Sequence, residues 1–406
     1  MITTGVTGGR WRASITPFGA IVPFGNDRFA NDRFGNDDDN RLGLPIDWHI
    51  AADDRWHSPE HEPTVRQRRI DGTAVVETRV RIPDGDAVQR VFSAADHGGL
   101  TVIEVENESP LPIAVAFTSG RLLSLRPSAA PIEGISLPQG SVAFPVGHRS
   151  TLTVALPHST NAHLQTLPSG LPTADAVARG WLATAERAGR VVSPDVEFNE
   201  RIISARCELL LCGPPLPEAD AVGFILVVDQ LVRMGERAEP FIPELANALE
   251  LAAKSADQDW ALAAGLAAAD RVLAAAHETR ARRDLVTMGQ RLDVSNQLAR
   301  VAPSDPIRSL AWTEQGIAAP RSGRAELLSA GLPASWLGNN FEVFAMPTGA
   351  TGTVSFAVRW HGDRPAILWE QSPGDDGPVE LTAPALAPHW SSSEVSGEAL
   401  WDKYNR

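Results

Sequence analysis

The chain has 406 residues, 43% hydrophobic and 21% charged, the proportions of a folded protein. At roughly 150 residues per unit this length suggests two or three structural units, enough to bury about three quarters of the unfolded surface. Fifty acidic residues against 36 basic ones give a formal charge of −14, which repels phosphate backbones and anionic lipid and argues against nucleic acid and membrane partners.

All but two of the basic residues are arginine, the exceptions being Lys254 and Lys403. So much arginine and alanine is the composition of a GC-rich bacterial genome, and it leaves Schiff-base chemistry only those two lysines. Cys207 and Cys212 stand five apart in a helical run and point to different faces, so a disulfide between them is geometrically poor. The opening ten residues have neither a basic nor an apolar signal region, and no run of about 18 apolar residues follows. A cytoplasmic protein is expected.

From Trp11 to about Pro157 short alternating runs predict strands, among them Thr73–Ile82, Leu100–Asn107, Ile113–Ser119 and Thr151–Leu156. Breaks at Pro83-Asp84-Gly85-Asp86, His97-Gly98-Gly99 and Ser109-Pro110 separate them, the spacing of an antiparallel sandwich. A five-residue unit occurs three times in succession, as Phe24–Arg28, Phe29–Arg33 and Phe34–Asp38. Gly, Asn and Asp around a single Phe favour turns, so this reads as a loop expansion. Calcium held by Asp37, Asp38, Asp39 and Asn40 is the sharper alternative.

From about Thr173 to Asn296 the period changes to that of helices. Thr173 is the expected N-cap of the first, and Ser193-Pro194 opens the second, which Gly213-Pro214-Pro215 stops. Ala221–Gly235, Ile242–Ala253, Asp257–Ala276 and Glu278–Gln297 complete six helices with the short connections of helical hairpins. Strands then return at Phe341–Met346, Gly352–Trp360 and Pro365–Gln371, the last two joined tightly by His361-Gly362-Asp363-Arg364. Ser372–Pro378 reads as a polar loop and Ser391–Ser396 as irregular. The expected fold class is α+β. A β-sandwich domain spans residues 1–165, an α-helical hairpin (partial α/α) domain 173–335, and a C-terminal β segment 336–406. The returning strands either rejoin the sandwich or form a sheet of their own.

Several chemistries lack their motifs. Neither lysine follows the glycine of a Walker A loop, and there is no G-x-S-x-G elbow and no C-x-x-C. His277-Glu278 opens like a zincin helix, but Ala281 stands where the second histidine belongs. Gly5, Gly8 and Gly9 precede strand-like sequence, not the helix a dinucleotide fingerprint requires. ATPase, serine hydrolase, zincin and Rossmann dehydrogenase are disfavoured, and neither a cofactor nor a metal is expected.

The densest polar–aromatic cluster is Asp47–His61. Trp48 and Trp56 are flat apolar platforms of the kind that sugar rings stack on, and Asp53 and Asp54 are acceptors for hydroxyl groups; the alternative is a strand with Trp48 half-buried and the acids solvated. Metal binding by His57, Glu60 and His61 is weaker, because Pro59 disrupts the helix that would align them. A second cluster holds Trp360, His361, Asp363, Trp369 and Glu370 on one hairpin. Six of the 11 tryptophans follow residue 310 and three precede residue 60, so the rings concentrate in the β segments. Sandwich cores need aromatic residues too. Among possible acids, Glu197 and Glu200 share a helix N-terminus, where the macrodipole accounts for them. Asp229 interrupts the apolar run Phe224–Val232, where burial would raise its pKa as a general acid requires; a polar stripe is the other reading.

The order sandwich, helical hairpins, strands resembles the six-hairpin glycosidase architecture of glucoamylases and bacterial glycoside phosphorylases. Gly352–Gln371 (GTVSFAVRWHGDRPAILWEQ) and Ile46–His57 (IDWHIAADDRWH) are similar to segments of actinobacterial proteins of that general kind. The resemblance implies an (α/α) ring packed on a sandwich and a carbohydrate ligand. Six helices make half of such a ring, so a reduced relative is implied, and no catalytic motif transfers residue by residue.

The expectation is a carbohydrate-active protein with an oligosaccharide or polysaccharide ligand. As a small glycosidase-like hydrolase it would use acid/base carboxylates, with Asp229 and Glu370 as catalytic candidates. Trp48, Asp53, Asp54, Trp56, Trp360, His361, Asp363 and Trp369 are the candidate sugar contacts. The alternatives are a non-catalytic carbohydrate-binding protein, or a structural protein whose sandwich mediates oligomerisation.

Overall fold

The computed structural model describes residues 1–9, 11–25, 45–129, 132–158, 164–254, 259–292, 294–295, 297–375 and 377–403. The pentapeptide repeat beyond Phe24 and Gly25, with the calcium candidates Asp37–Asn40, lies outside them. The protein is α+β, with seven helices and 22 strands among the described residues. It forms two compact units, Met1–Leu182 and Ala183–Arg406.

The first unit begins with an antiparallel three-stranded sheet of β1 (Ile2–Gly5), β2 (Trp11–Ile15) and β3 (Ile21–Gly25). Then come β4 (Trp48–Ala51), β5 (Trp56–His57), β6 (Arg66–Arg69), β7 (Val76–Ile82), β8 (Gly85–Ala94), β9 (Leu100–Asn107), β10 (Ile113–Phe117), β11 (Leu123–Ser124), β12 (Val142–Val146) and β13 (Thr151–Pro157). They pair in the orders β12-β10-β4-β5 and β11-β13-β9-β8-β7-β6, every pair antiparallel. Alternation sorts the faces. Trp48, Ile50, Val115 and Phe144 of the smaller sheet meet Val76, Val80, Val91, Ile103 and Val154 of the larger in one core. On the larger sheet's other face Glu77 is buried beneath Arg68, Arg79 and Arg90, at 3.0, 3.1 and 3.0 Å. Helix α1 (Ala174–Ala185) begins at Thr173, whose hydroxyl accepts from the Ala176 amide at 3.3 Å. The division between the units falls inside this helix.

The second unit contains β14 (Arg190–Val192), α2 (Val196–Cys212), α3 (Ala221–Arg233), α4 (Ile242–Lys254), α5 (Trp260–Ala275), α6 (Thr279–Arg291) and α7 (Pro306–Ile317). Asp195, Asp220, Asp259 and Asp305 cap α2, α3, α5 and α7 by accepting from early backbone amides. The cap of α2 is thus Asp195, one residue beyond Ser193-Pro194, and Gly213 closes the helix as the sequence implied. Helices α3 and α5 supply most of a core built from Phe224, Ile225, Val228, Leu262, Ala268 and Val272. Cys207 on α2 is buried and Cys212 exposed, and no disulfide joins them.

The strands β15 (Ala318–Arg321), β16 (Arg324–Leu327), β17 (Phe341–Pro347), β18 (Thr353–His361), β19 (Arg364–Ser372), β20 (Glu380–Ala383), β21 (Ala387–Ser392) and β22 (Ser396–Leu400) complete the unit. They form the sheets β14-β17-β18-β19-β22 and β15-β16-β20-β21, the latter with one parallel pair, β16 with β20. The returning strands therefore do not rejoin the sandwich sheets; they build two sheets, one of them edged by β14, and share one compact unit with the helices. Where Ser391–Ser396 was expected to be irregular, β21 runs to Ser392 and β22 starts at Ser396. No helix among the described residues is long and apolar enough to cross a membrane.

Candidate functional site

The Asp47–His61 segment folds as β4, a turn and β5. Trp48 is 1% exposed inside the sandwich, and its indole N–H donates to the Phe18 carbonyl at 3.0 Å. Trp56 pairs with Ala51 while Trp48 lies on the face of Ile50, so the two rings occupy opposite faces of the sheet and make no common platform. The Trp56 indole donates to the Glu133 carbonyl at 3.1 Å.

Asp53 and Asp54 are both exposed. Asp54 meets His57 Nε2 at 2.9 Å, His57 Nδ1 meets Glu62 at 3.1 Å, and Arg55 grips Glu62 through two nitrogens at 2.7 and 3.1 Å. The hydrogen bond from His57 holds the Asp54 carboxyl below its ordinary range, and that from Arg55 does the same for Glu62. This is a self-satisfied clip that ties the turn to β5. His57 is buried while Glu60 and His61 are exposed, and no group of three or more His, Cys, Asp or Glu side chains among the described residues is arranged to hold a metal ion.

On the outer face His49 Nδ1 lies 2.9 Å from the Ser58 hydroxyl. Burial raises the pKa of Asp47 and lowers that of His49.

Asp229 sits on α3, only 3% exposed. Both its oxygens accept from Arg271 on α5, each at 2.7 Å, and Arg233 one turn along the helix lies 3.6 Å away. Next to it Glu314 of α7 accepts from Arg206 at 2.7 Å, Arg233 at 2.7 Å and Gln230 at 2.8 Å. Burial presses the Glu314 pKa upward, but Arg233 and Arg206 outweigh it and hold the group down at about 2. Arg206 also donates to the carbonyls of Ala185, Ala188 and Gly189, so one guanidinium ties the loop before β14 to α2 and α7. The cavity beside Asp229 and Glu314 measures about 20 Å³, room for one water. Asp229 is thus an ion-pair acceptor in a dense arginine–carboxylate lattice. Glu370, the other candidate acid, is exposed on β19 between Ser355 and Ser396, away from that cavity. Glu197 and Glu200 lie on the opening turns of α2, as their spacing indicated.

The second aromatic cluster is more concave. Trp369, Trp390 and Trp401 form a chain of edge-to-face contacts, each neighbouring pair 5.3 Å apart between ring centroids and inclined at 71° and 63°. Strand pairing creates this chain: β22 lies beside β19 with Gly397 opposite Trp369, and β21 brings Trp390 over the ring. A Cβ on Gly397 would come within 2.6 Å of the Trp369 ring, so glycine is required for the close approach.

Beyond the rings opens a cleft of about 440 Å³ walled by Leu386, Pro388, His389, Trp390, Trp401 and Asp402. Trp401 is 3% exposed and its indole N–H has no hydrogen-bond partner, whereas Trp390 is half-buried and His389 exposed. The segment 401–403 is pinned to the β18–β19 turn: the Trp401 amide donates to Pro365 at 2.9 Å, Arg364 donates to the Trp401 carbonyl at 3.0 Å, and Lys403 pairs with Asp363. That contact lowers the Asp363 pKa.

Of the residues singled out in the sequence, Trp369 and Asp363 border this arrangement. Trp360 is half-buried on β18 with its indole N–H unpartnered, and His361 is exposed in the turn. His389, Trp390, Trp401 and Asp402 were not singled out, and Lys403 was named only as one of the two lysines. The signal for them was the pair of tryptophans flanking the last strand, at residues 390 and 401.

A wider cleft of about 600 Å³ lies between α5 and the β15–β16 turn, bordered by Ala263, Ala267, Asp270, Arg321, Arg324 and Glu380. Asp270 is gripped by Arg282 at 2.7 Å. This cleft has no aromatic wall.

The second unit therefore presents a tryptophan-walled cleft among its C-terminal strands and, separately, a helical core cross-linked by buried ion pairs. No protein-family model matches the chain, and a search of curated proteins finds no match.

Proposed function

We propose that the protein binds carbohydrate without cleaving it, and that the Trp390–Trp401 cleft is where the sugar sits. The observation that carries this reading is the cleft itself. Indole rings in a concave site of a few hundred Å³, with a small number of polar groups at the rim, suit the apolar face and hydroxyl edge of a sugar ring. Hydrolysis receives less support, because it needs one protonated and one ionised carboxyl about 5–10 Å apart. Asp229 is engaged by arginine, and Glu370 lies elsewhere.

Titration of intrinsic tryptophan fluorescence with neutral malto-, gluco- and arabino-oligosaccharides, followed by product analysis, tests the proposal. A saturable shift without new reducing ends is expected, and Trp390→Ala is expected to weaken binding at least tenfold. Product formation would replace binding by hydrolysis. No shift with any sugar would sink the carbohydrate reading.

A second reading, an assembly protein, draws on one observation: Phe344, Leu368 and Leu400 are each exposed on the outer face of the five-stranded sheet. Light scattering after size exclusion tests it, and a monomer at all concentrations would remove it. We place the protein in the cytoplasm, in keeping with two cysteines that form no disulfide, and cell fractionation checks this.

A further inference from the structure

Among the described residues the tryptophan cleft is walled by one acid and one base, Asp402 and Lys403, and each has an opposite charge beside it on the β18–β19 turn. Lys403 contacts Asp363, and Arg364 lies 3.9 Å from Asp402. All four belong to the β18–β19 turn or to the segment pinned against it. Two acids and two bases sum to no net charge, in a chain whose formal charge is −14. His389 is the remaining titratable group in the wall and is exposed.

Two consequences follow from screening. At physiological ionic strength fields decay over about 8 Å, so a ligand in the cleft meets chiefly the charges beside it, which balance among the described residues. At low ionic strength the field of the whole acidic chain reaches the cleft and repels anions. Among the described residues no uncompensated lysine or arginine at the mouth rewards a carboxylate or sulfate group on the ligand, and the acidic chain opposes one.

We infer that the cleft selects uncharged glycans over anionic ones, and that the Asp363–Lys403 and Asp402–Arg364 pairs set this selectivity. The inference rests on the carbohydrate reading above and adds the ligand's charge class. Asp363 and Asp402 cancel two cations that would otherwise attract polyuronates. Lys403 in turn keeps the two carboxylates from making the mouth acidic.

The test is the ratio of affinities for a neutral gluco-oligosaccharide and an oligogalacturonate of equal length, measured by fluorescence titration at low and physiological ionic strength. The native chain should favour the neutral ligand, more strongly at low salt. The double variant Asp363→Asn/Asp402→Asn leaves Lys403 and Arg364 uncompensated and should move the ratio towards the oligogalacturonate by roughly fivefold at low salt. Lys403→Gln should move it the opposite way. All three residues are exposed, and far-UV circular dichroism verifies that the variants fold. A native chain that prefers the anionic ligand, or a ratio unmoved in both variants, overturns the inference while leaving carbohydrate binding intact. Binding of neither ligand overturns both.

Discussion

Glu314 offers the sharpest test of how the second unit is held together. The substitution Glu314→Gln removes a carboxylate that Arg206 and Arg233 share and leaves both guanidiniums facing a neutral amide, with Asp229 still 3.6 Å from Arg233. Two routes give the magnitude. A pKa lowered from 4.5 to about 2 corresponds to about 3 kcal/mol of preference for the ionised form in the fold, at about 1.4 kcal/mol per unit. Removing one partner of a buried ion pair costs about 3–5 kcal/mol. The two agree.

A carboxyl whose folded pKa is depressed contributes stability that is present in full above its unfolded value. That stability is lost as pH falls from about 4.5 towards 2. Urea unfolding of the native chain and the variant, at neutral pH and at steps down to pH about 2.5, follows both effects. The variant should lose about 3 kcal/mol at neutral pH and show a shallower acid slope. A loss under about 1 kcal/mol, or an unchanged acid slope, would refute the claim that Glu314 anchors this lattice.

Two further predictions concern single side chains. His158 donates to or accepts from Thr101 at 2.8 Å, and burial lowers its pKa from 6.5 to about 4. The fold prefers the neutral ring, so the first unit should lose stability as pH falls from 6.5 to about 4, by up to about 3 kcal/mol; an NMR titration placing His158 near its ordinary value would contradict this. Gly397→Ala sets a methyl against the Trp369 ring and should cost about 1–3 kcal/mol, with a changed near-UV circular dichroism signal. An unchanged signal would mean that the ring stack does not depend on that close approach.

What could be read from the sequence was local. Alternation located β9, β10, β13, β17, β18 and β19 to within a few residues, because strand faces are written at period two. The His361–Arg364 turn and the Gly213 stop were equally legible, since turn chemistry lies in adjacent residues. Helix α7 was not singled out. Its cap, Asp305 followed by Pro306, is a clear start signal, but Ile307, Leu310, Ala311 and Ile317 make a thin apolar stripe. Asp229 was visible as an interruption of an apolar run. What it does depends on Arg271, 42 residues on, and such pairings leave no local trace. The cleft was hidden for the same reason: Trp369, Trp390 and Trp401 meet only through the pairings of β19, β20, β21 and β22.

The arginine content connects these findings. In an acidic chain nearly devoid of lysine, buried carboxylates are met by guanidinium groups, which present several fixed donors and stay charged when buried. Glu77 is met by three arginines, Asp229 by Arg271 with Arg233 nearby, and Glu314 by two. Such a partner gives an acid a structural part, since carboxylate oxygens that accept from a guanidinium are already engaged. An apolar run broken by an acid therefore carries two meanings, and the partner decides between them. Without arginine, burial raises a carboxyl's pKa towards that of a general acid; with it, the acid is a strut between neighbouring elements. Asp229 has its arginine. The tryptophan cleft differs in kind, because indole rings line it and the acid and base in its wall, Asp402 and Lys403, are opposite in sign, and that contrast is why binding, and not cleavage, is the function proposed for this unit.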